Sequence, residues 1–133
     1  MREPSVSRRR GSLPSPREGC LFCALVAEGE HVHAADGFVA IRDINPIAET
    51  HLLVLPARHV DTFREVDAFP DEEAASMLRF VADTAANAGL DDYKVLVNVG
   101  QGGGQTVFHL HWHVLGGRFD TGKLARALEL ETA

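Results

Sequence analysis

The chain lacks any apolar run approaching the roughly 20 residues that span a bilayer, so no membrane-crossing helix and no membrane partner are expected from its 133 residues. Its first nineteen residues hold five arginines but no apolar stretch, and are therefore not read as a secretory signal. A cytoplasmic location is the expectation. Cysteine is scarce: Cys20 and Cys23 are the only two, a pair that in a cytoplasmic protein points to zinc or redox chemistry more often than to a structural disulfide. Basic charge is missing from the body of the chain. Arg2, Arg8, Arg9, Arg10 and Arg17 against Glu3 and Glu18 give residues 1–19 a net +3, so the remaining 114 residues carry −9 within the total of −6. An acidic body argues against a nucleic-acid polymer as partner, because phosphate-rich duplexes call for a basic surface.

What remains is the composition of one soluble domain with a real core, 45% apolar and 24% charged,. The Arg-, Pro- and Ser-rich segment 1–18 reads as a disordered tail, and 19–133 as a single domain,. Cys20-Leu-Phe-Cys-Ala-Leu-Val26 looks like a metal knuckle entering a helical turn. Strands are expected over His31–Ala34 and Phe38–Arg42, separated by the turn signal Ala35-Asp-Gly37, and over His51–Pro56, where the proline stops the ladder,. Pro70-Asp-Glu-Glu73 starts a helix that runs to Gly89, with Met77, Leu78, Val81 and Ala85 as its apolar stripe,. Lys94–Val99 and Val107–Leu115 are the next expected strands, followed by a weaker helix over Gly122–Leu130. There is no internal repeat. Antiparallel strands with one main helix read as α+β.

Three of the seven histidines stand at alternate positions, His109, His111 and His113. On a strand they would share one face, roughly 7 Å apart. A neutral imidazole at the centre, His111, is a competent nucleophile toward phosphorus, with a flanking histidine or backbone amides stabilising the charge that develops. The rival takes all three as ligands of one catalytic zinc, but on a strand the outer pair lies roughly 13–14 Å apart. The loop Asn98-Val-Gly-Gln-Gly-Gly-Gly-Gln-Thr106 has no Walker lysine, which excludes a P-loop, while its glycines let backbone amides approach an anion. Gln105 and Thr106 would add neutral donors. Asp43, just after a strand, is either an exposed loop aspartate or the acceptor for a ribose diol. A tetrahedral zinc needs about four ligands, and two histidines added to Cys20 and Cys23 would complete a common set. No carboxylate cluster for Mg²⁺ accompanies the histidines.

The segment His109-Leu-His-Trp-His-Val-Leu115 fits His-φ-His-φ-His-φ-φ and resembles the signature of the histidine-triad (HIT) superfamily. The fuller string from Gly103 to Gly117, with Arg42-Asp-Ile-Asn-Pro46, Thr50–His59 and Asn98, is similar to its nucleotide-binding, purine nucleoside phosphoramidase branch. The resemblance spans about Cys20 to Gly117. It implies a HIT fold: a five-stranded antiparallel sheet with one long and one short helix, joined through the long helix and a strand into a ten-stranded homodimer. The implied activity is hydrolysis of AMP-type phosphoramidates through a nucleotidyl-histidine intermediate. A dinucleoside polyphosphate hydrolase and a nucleotide-binding regulatory module are the alternatives. By the same resemblance His111 is the nucleophile, His113 the residue at the α-phosphate and His51 a buried supporter of both. Asn98, Gly104, Gln105 and Thr106 would line the phosphate and leaving group, and Asp43 the ribose. Phe22, Leu25, Ile41 and Ile44 would form the slot for the base. Cys20, Cys23, His59 and His109 would hold a structural Zn²⁺.

Overall fold

A tight reversal at Ala35–Phe38 starts the sheet. Asp36 and Gly37 both take positive φ, 55° and 85°, the two-residue geometry that matches the twist of the strands it joins and that an Asp-Gly pair favours. The computed structural model describes residues 18–127; of the expected tail only Glu18 falls among them, and the expected last helix lies outside them beyond Ala127. The turn joins β1 (His33–Ala35) to β2 (Phe38–Arg42), with β3 (Ala48–Pro56), β4 (Tyr93–Leu96) and β5 (Trp112–Phe119) following in chain order. All pairings are antiparallel, and the order across the sheet is β1-β2-β3-β5-β4.

Both faces of this sheet are covered. Alternation along β2 sends Phe38 and Ala40 to one side and Val39 and Ile41 to the other,. On the first side lies α2 (Asp71–Asn87), packed through Met77, Phe80, Val81, Thr84 and Ala85 against Leu52, Val54, Trp112 and Val114. Its first turn carries Asp71, Glu72 and Glu73 at the positive end of the helix dipole,. It closes as the sequence implies, Leu90 N–H donating to Ala85 O and Gly89 N–H to Ala86 O, both at 3.0 Å,. On the second side α1 (Leu21–Glu28) presses Phe22 onto Val39, Ile41, Leu53 and Leu55. A further helix, α3, occupies Thr121–Ala127.

The expected elements need five corrections. β1 starts two residues later than read and β3 three residues earlier, its extension carrying a bulge between Ala48 and Thr50. Leu78 is not part of the buried stripe of α2; it is 57% exposed, and Phe80 and Thr84 take its place. The fourth strand covers Tyr93–Leu96, ending before Asn98. Most consequentially, the last strand runs over Trp112–Phe119, not Val107–Leu115. Leu110 donates its N–H to the Val60 carbonyl at 2.6 Å, outside the ladder, so His109 and His111 precede the strand and only His113 lies within it.

Candidate active site

Because His109 and His111 precede β5, the three histidines do not line one face of a strand. They divide between two clusters on the α1 side of the sheet.

The first cluster gathers at the start of α1. Cys20 caps that helix, its Sγ accepting from the Cys23 N–H at 3.2 Å. Cys23 Sγ lies 3.1 Å from His59 Nδ1 and 3.5 Å from His109 Nδ1, and Cys20 Sγ 3.6 Å from His109 Nδ1. His109 is fully buried. Its Nε2 is 2.8 Å from the Pro56 carbonyl, which can only accept, so the ring proton sits on Nε2 and the Nδ1 lone pair faces the sulfurs. His59 repeats the pattern, its Nε2 2.6 Å from Asp61 Oδ1. Four ligand atoms, from Cys20, Cys23, His59 and His109, lie within 4.8 Å of one another and could hold a metal ion. Each histidine is oriented from behind by an acceptor, as metal-bound imidazoles commonly are.

The second cluster holds His111, His113 and His51. His111 Nδ1 is 2.8 Å from the His109 carbonyl; the same logic protonates Nδ1 and leaves the Nε2 lone pair available. Phe22 meets this ring edge-on with centroids 4.9 Å apart, and the His113 ring stands 5.1 Å away on another side. Antiparallel register brings His51 and His113 to one face, since Leu53 pairs with His113 and His51 with Leu115,. His51 Nδ1 accepts from the Ile47 N–H at 3.1 Å, so its proton is on Nε2. That nitrogen is 3.0 Å from His113 Nδ1 and 3.2 Å from Asp43 Oδ2. Asp43 reaches it because the β2–β3 ladder continues one step, Asp43 N–H donating to His51 O at 3.1 Å. His113 Nε2 is buried and, among the described residues, has no hydrogen-bond partner. Asp43, His51 and His113 also lie within 4.8 Å of one another, but a proton held on His51 Nε2 removes that nitrogen as a ligand.

Burial holds these rings neutral. It pushes the pKa of His113 down to about 4, the neighbouring His111 and His51 adding to the effect and Asp43 opposing it. It pushes His109 to about 4 as well, against the Pro56 hydrogen bond. Burial also lowers His111, opposed by the His109 carbonyl and Asp43, and lowers His51 with Asp43 opposing. Neutral rings have defined tautomers, so the assignments above apply at neutral pH.

The glycine loop takes a compact shape. A 3-10 turn over Gln101–Gly103 ends at Gly104, whose φ of 91° admits no side chain without strain,. Gln105 does not offer the free donor expected of it. It is 3% exposed, its amide N–H groups are taken by the Asp61 and Val107 carbonyls at 2.9 and 3.0 Å, and its Oε1 accepts from the Gly100 N–H at 2.9 Å. It is the strut of the loop. Thr106 is exposed and, with Cys20, His59, Val107 and Phe108, borders a cleft of about 550 Å³. Asn98 is half-buried. Of the expected base slot, Phe22 and Ile41 are buried in one apolar cluster with Leu25 against it, while Ile44 projects from the turn after Asp43, 89% exposed. The Pro56 carbonyl, the Asp61 carboxylate and the Ile47 amide went unread in the sequence. Asp61, two residues from His59, carried the one available signal.

The HIT domain family profile matches residues 25–120, most of the chain. The chain belongs to the HIT domain family. It is 37% identical over 89 residues to the purine nucleoside phosphoramidase of Escherichia coli K12, covering 65% of this chain and 75% of that protein. Among solved structures it is similar to a HIT family hydrolase from Legionella pneumophila, at 38% identity and a TM-score of 0.68, over 75% of this chain and 94% of that one. A zinc-bound histidine triad family protein from Mycobacterium smegmatis matches at 30% identity and a TM-score of 0.62, over 75% and 76%. The five-stranded sheet and its helices are thus the HIT fold, and the chain is a hydrolase of that family.

Proposed function

We propose that this hydrolase cleaves the P–N bond of purine nucleoside phosphoramidates, with AMP esters of amines as the substrate class and nucleotidyl-His111 as a covalent intermediate. The observation that carries the reading is a complementary pair of rings with centroids 5.1 Å apart: His111, whose Nδ1 donates to the His109 carbonyl and leaves an Nε2 lone pair, and His113, whose Nδ1 accepts from His51 and whose Nε2–H has no partner among the described residues. His111 Nε2 attacks the α-phosphorus and forms an N–P bond as the P–N bond to the amine breaks, the leaving amine taking its proton from solvent. Water then opens the N–P bond to His111 and releases AMP. His113 Nε2–H donates to a phosphoryl oxygen, where charge develops in the transition state. Amides of the loop around Gly104, with Thr106 and Asn98, line the phosphate and leaving-group side. Asp43 accepts from the ribose hydroxyls, and half-buried Leu25 and exposed Ile44 offer apolar surface to a purine, with Phe22 and Ile41 buried in the cluster against which Leu25 packs.

Zinc suits the first cluster. Zn–S of about 2.3 Å and Zn–N of about 2.0–2.1 Å give a tetrahedral S···N edge of about 3.6 Å, against 3.5 and 3.6 Å for the two sulfur contacts of His109 and 3.1 Å for that of His59. Two thiolates and two imidazoles fill the coordination sphere, so the ion would be structural, fixing His109 and the start of α1. A homodimer is the assembly this reading implies. Its support is apolar surface on the long helix and on the edge strand β4, where Leu78, Tyr93 and Val95 are 57%, 39% and 42% exposed. No helix among the described residues is long and apolar enough to cross a membrane, and a cytoplasmic enzyme acting on small nucleotides is the corresponding setting.

The test is turnover of adenosine 5′-phosphoramidate and of diadenosine polyphosphates by the wild type and by His111→Ala. Phosphoramidate hydrolysis lost in the variant supports the reading. Preference for the dinucleotides would move the assignment to a polyphosphate hydrolase, and AMP binding without turnover would leave a binding module.

A further inference from the structure

A second cavity, of about 510 Å³, opens between the end of α2 and the strands β1, β2 and β3. Its volume is that of a small-molecule site. Alternation puts Arg42 and Leu52 on the α2 side of the sheet with Ala40 and Val54, and His33 joins them by stacking on Phe80, ring centroids 4.8 Å apart,. Asp43 and His51 also border the cavity, but their side chains meet at 3.2 Å as part of the histidine cluster. The two sites stand back to back across the β2–β3 ladder.

The polar groups around this cavity are unevenly engaged. Asp43 Oδ1 accepts from the Asn45 N–H at 2.8 Å while Oδ2 faces His51, and Glu49 accepts from the Arg118 N–H and guanidinium at 3.0 and 3.2 Å. The carbonyls that end α2 are also taken, Thr84 O by Ala88, Ala85 O by Leu90 and Ala86 O by Gly89. Arg42, by contrast, has no ion pair among the described residues. Thr84 borders the cavity, is 1% exposed, and its hydroxyl has no hydrogen-bond partner among them. A helical threonine commonly returns that hydroxyl to the carbonyl one turn back, so an unpartnered one calls for another acceptor.

From this surplus of donors we infer that the cavity binds a small organic carboxylate, its oxyanion on Arg42 and the Thr84 hydroxyl and its apolar body on Val32 and Leu52. A guanidinium fork matches a carboxylate in bidentate fashion, and the Asn87 amide at the rim is neutral. The Thr84 hydroxyl meets the ligand by a turn about χ1, for which a helical threonine has two wells. Val32 and Leu52 provide apolar surface that a bare phosphate ion has no means to use. The inference is independent of the nucleotide reading, since it places a ligand on the face of the sheet away from the histidine cluster.

The experiment is a ¹H–¹⁵N NMR titration of the full-length protein with benzoate and, separately, with inorganic phosphate, each with and without AMP. Benzoate is expected to shift the amides of residues 32–33, 50–52 and 84–88 saturably, whether or not AMP is present. Arg42→Gln and Thr84→Val should each weaken it about tenfold or more. Thr84→Val keeps the side-chain shape and removes an unpartnered hydroxyl, so its urea midpoint should equal or exceed that of the wild type. A midpoint well below the wild type would place the hydroxyl in an internal bond and overturn the inference. So would displacement of benzoate by AMP, equally strong shifts of these amides by phosphate, or no saturable shift at millimolar benzoate, which would leave a water-filled cavity. Each of these outcomes leaves the hydrolase reading standing.

Discussion

His109 supports His111 with its backbone while its own side chain turns to the cysteines. The carbonyl oxygen of His109 accepts from His111 Nδ1 at 2.8 Å, and the His109 ring, fully buried, presents Nδ1 to Cys20 and Cys23. One residue thus joins the candidate metal centre to the candidate nucleophile. Removing the metal should therefore affect chemistry as well as stability. Chelation, or Cys23→Ala, is expected to lower Tm by about 10 °C or more and to reduce kcat, with readdition of Zn²⁺ restoring both in the wild type alone. Calorimetry and metal analysis check this; a Tm indifferent to chelator would remove the metal from the account.

Behind that centre, Asp61 bridges two parts of the site. Its carboxylate holds His59 Nε2 at 2.6 Å and its carbonyl accepts from Gln105 at 2.9 Å. Asp61→Ala is expected to weaken zinc binding about 10- to 100-fold, measured by competition with a chromogenic chelator. Gln105→Ala leaves the Gly100 amide and two carbonyls without their partners. At roughly 1–3 kcal/mol for each buried group so exposed, a loss of about 3 kcal/mol in urea unfolding is expected, with faster amide exchange over residues 100–105. Unchanged exchange there would show that Gln105 is not the strut.

The histidines also set a pH window. His113 titrates at about 4, held down chiefly by burial, and must be neutral to keep Nδ1 as an acceptor. Its folded pKa lies below the usual 6.5, so the functional form persists as pH falls from 6.5, and the acid limb of kcat/KM should fall below 6.5. The stability sign follows from the same shift. The unfolded ring takes a proton near 6.5 while the folded one resists until about 4, so its contribution is present above 6.5 and is lost as pH falls through that interval. Urea unfolding of chelated protein between pH 7 and pH 4 should reveal the decline. An acid limb at or above 6.5 would contradict the neutral, buried cluster.

For assembly, Leu78 and Val95 provide the check. Val95→Glu on the edge strand and Leu78→Glu on α2 are each expected to shift the light-scattering mass from two chains to one at micromolar concentration, with circular dichroism preserved. A wild type that runs as a monomer would remove the dimer from the reading.

How much of this was legible beforehand differs by element. The Asp36-Gly37 turn, β2 and the α2 boundaries follow from local chemistry, turn residues and an acidic first helical turn, and the structure keeps them. The cysteine and histidine positions that gather at the start of α1 were legible through their resemblance to a known family. The geometry of the triad was not. Alternating His and apolar residues read as a strand from Val107, yet the Val60 carbonyl captures the Leu110 amide and delays β5 to Trp112. That bond joins residues far apart in sequence, which periodicity cannot see. Gln105 was misread for a related reason: the sequence shows an amide in a glycine loop, but not the three backbone groups that consume it. Leu78 was placed inside because its spacing suits the stripe; the helix is rotated so that Phe80 and Thr84 face the sheet instead.

The central claim is that His111 becomes covalently nucleotidylated. Intact mass spectrometry after rapid quench with adenosine 5′-phosphoramidate tests it directly. The account predicts a transient species heavier by one AMP in the wild type, mapped to His111, and none in His111→Ala. Steady turnover with no adduct on the millisecond scale, or an adduct that survives the substitution, would contradict it.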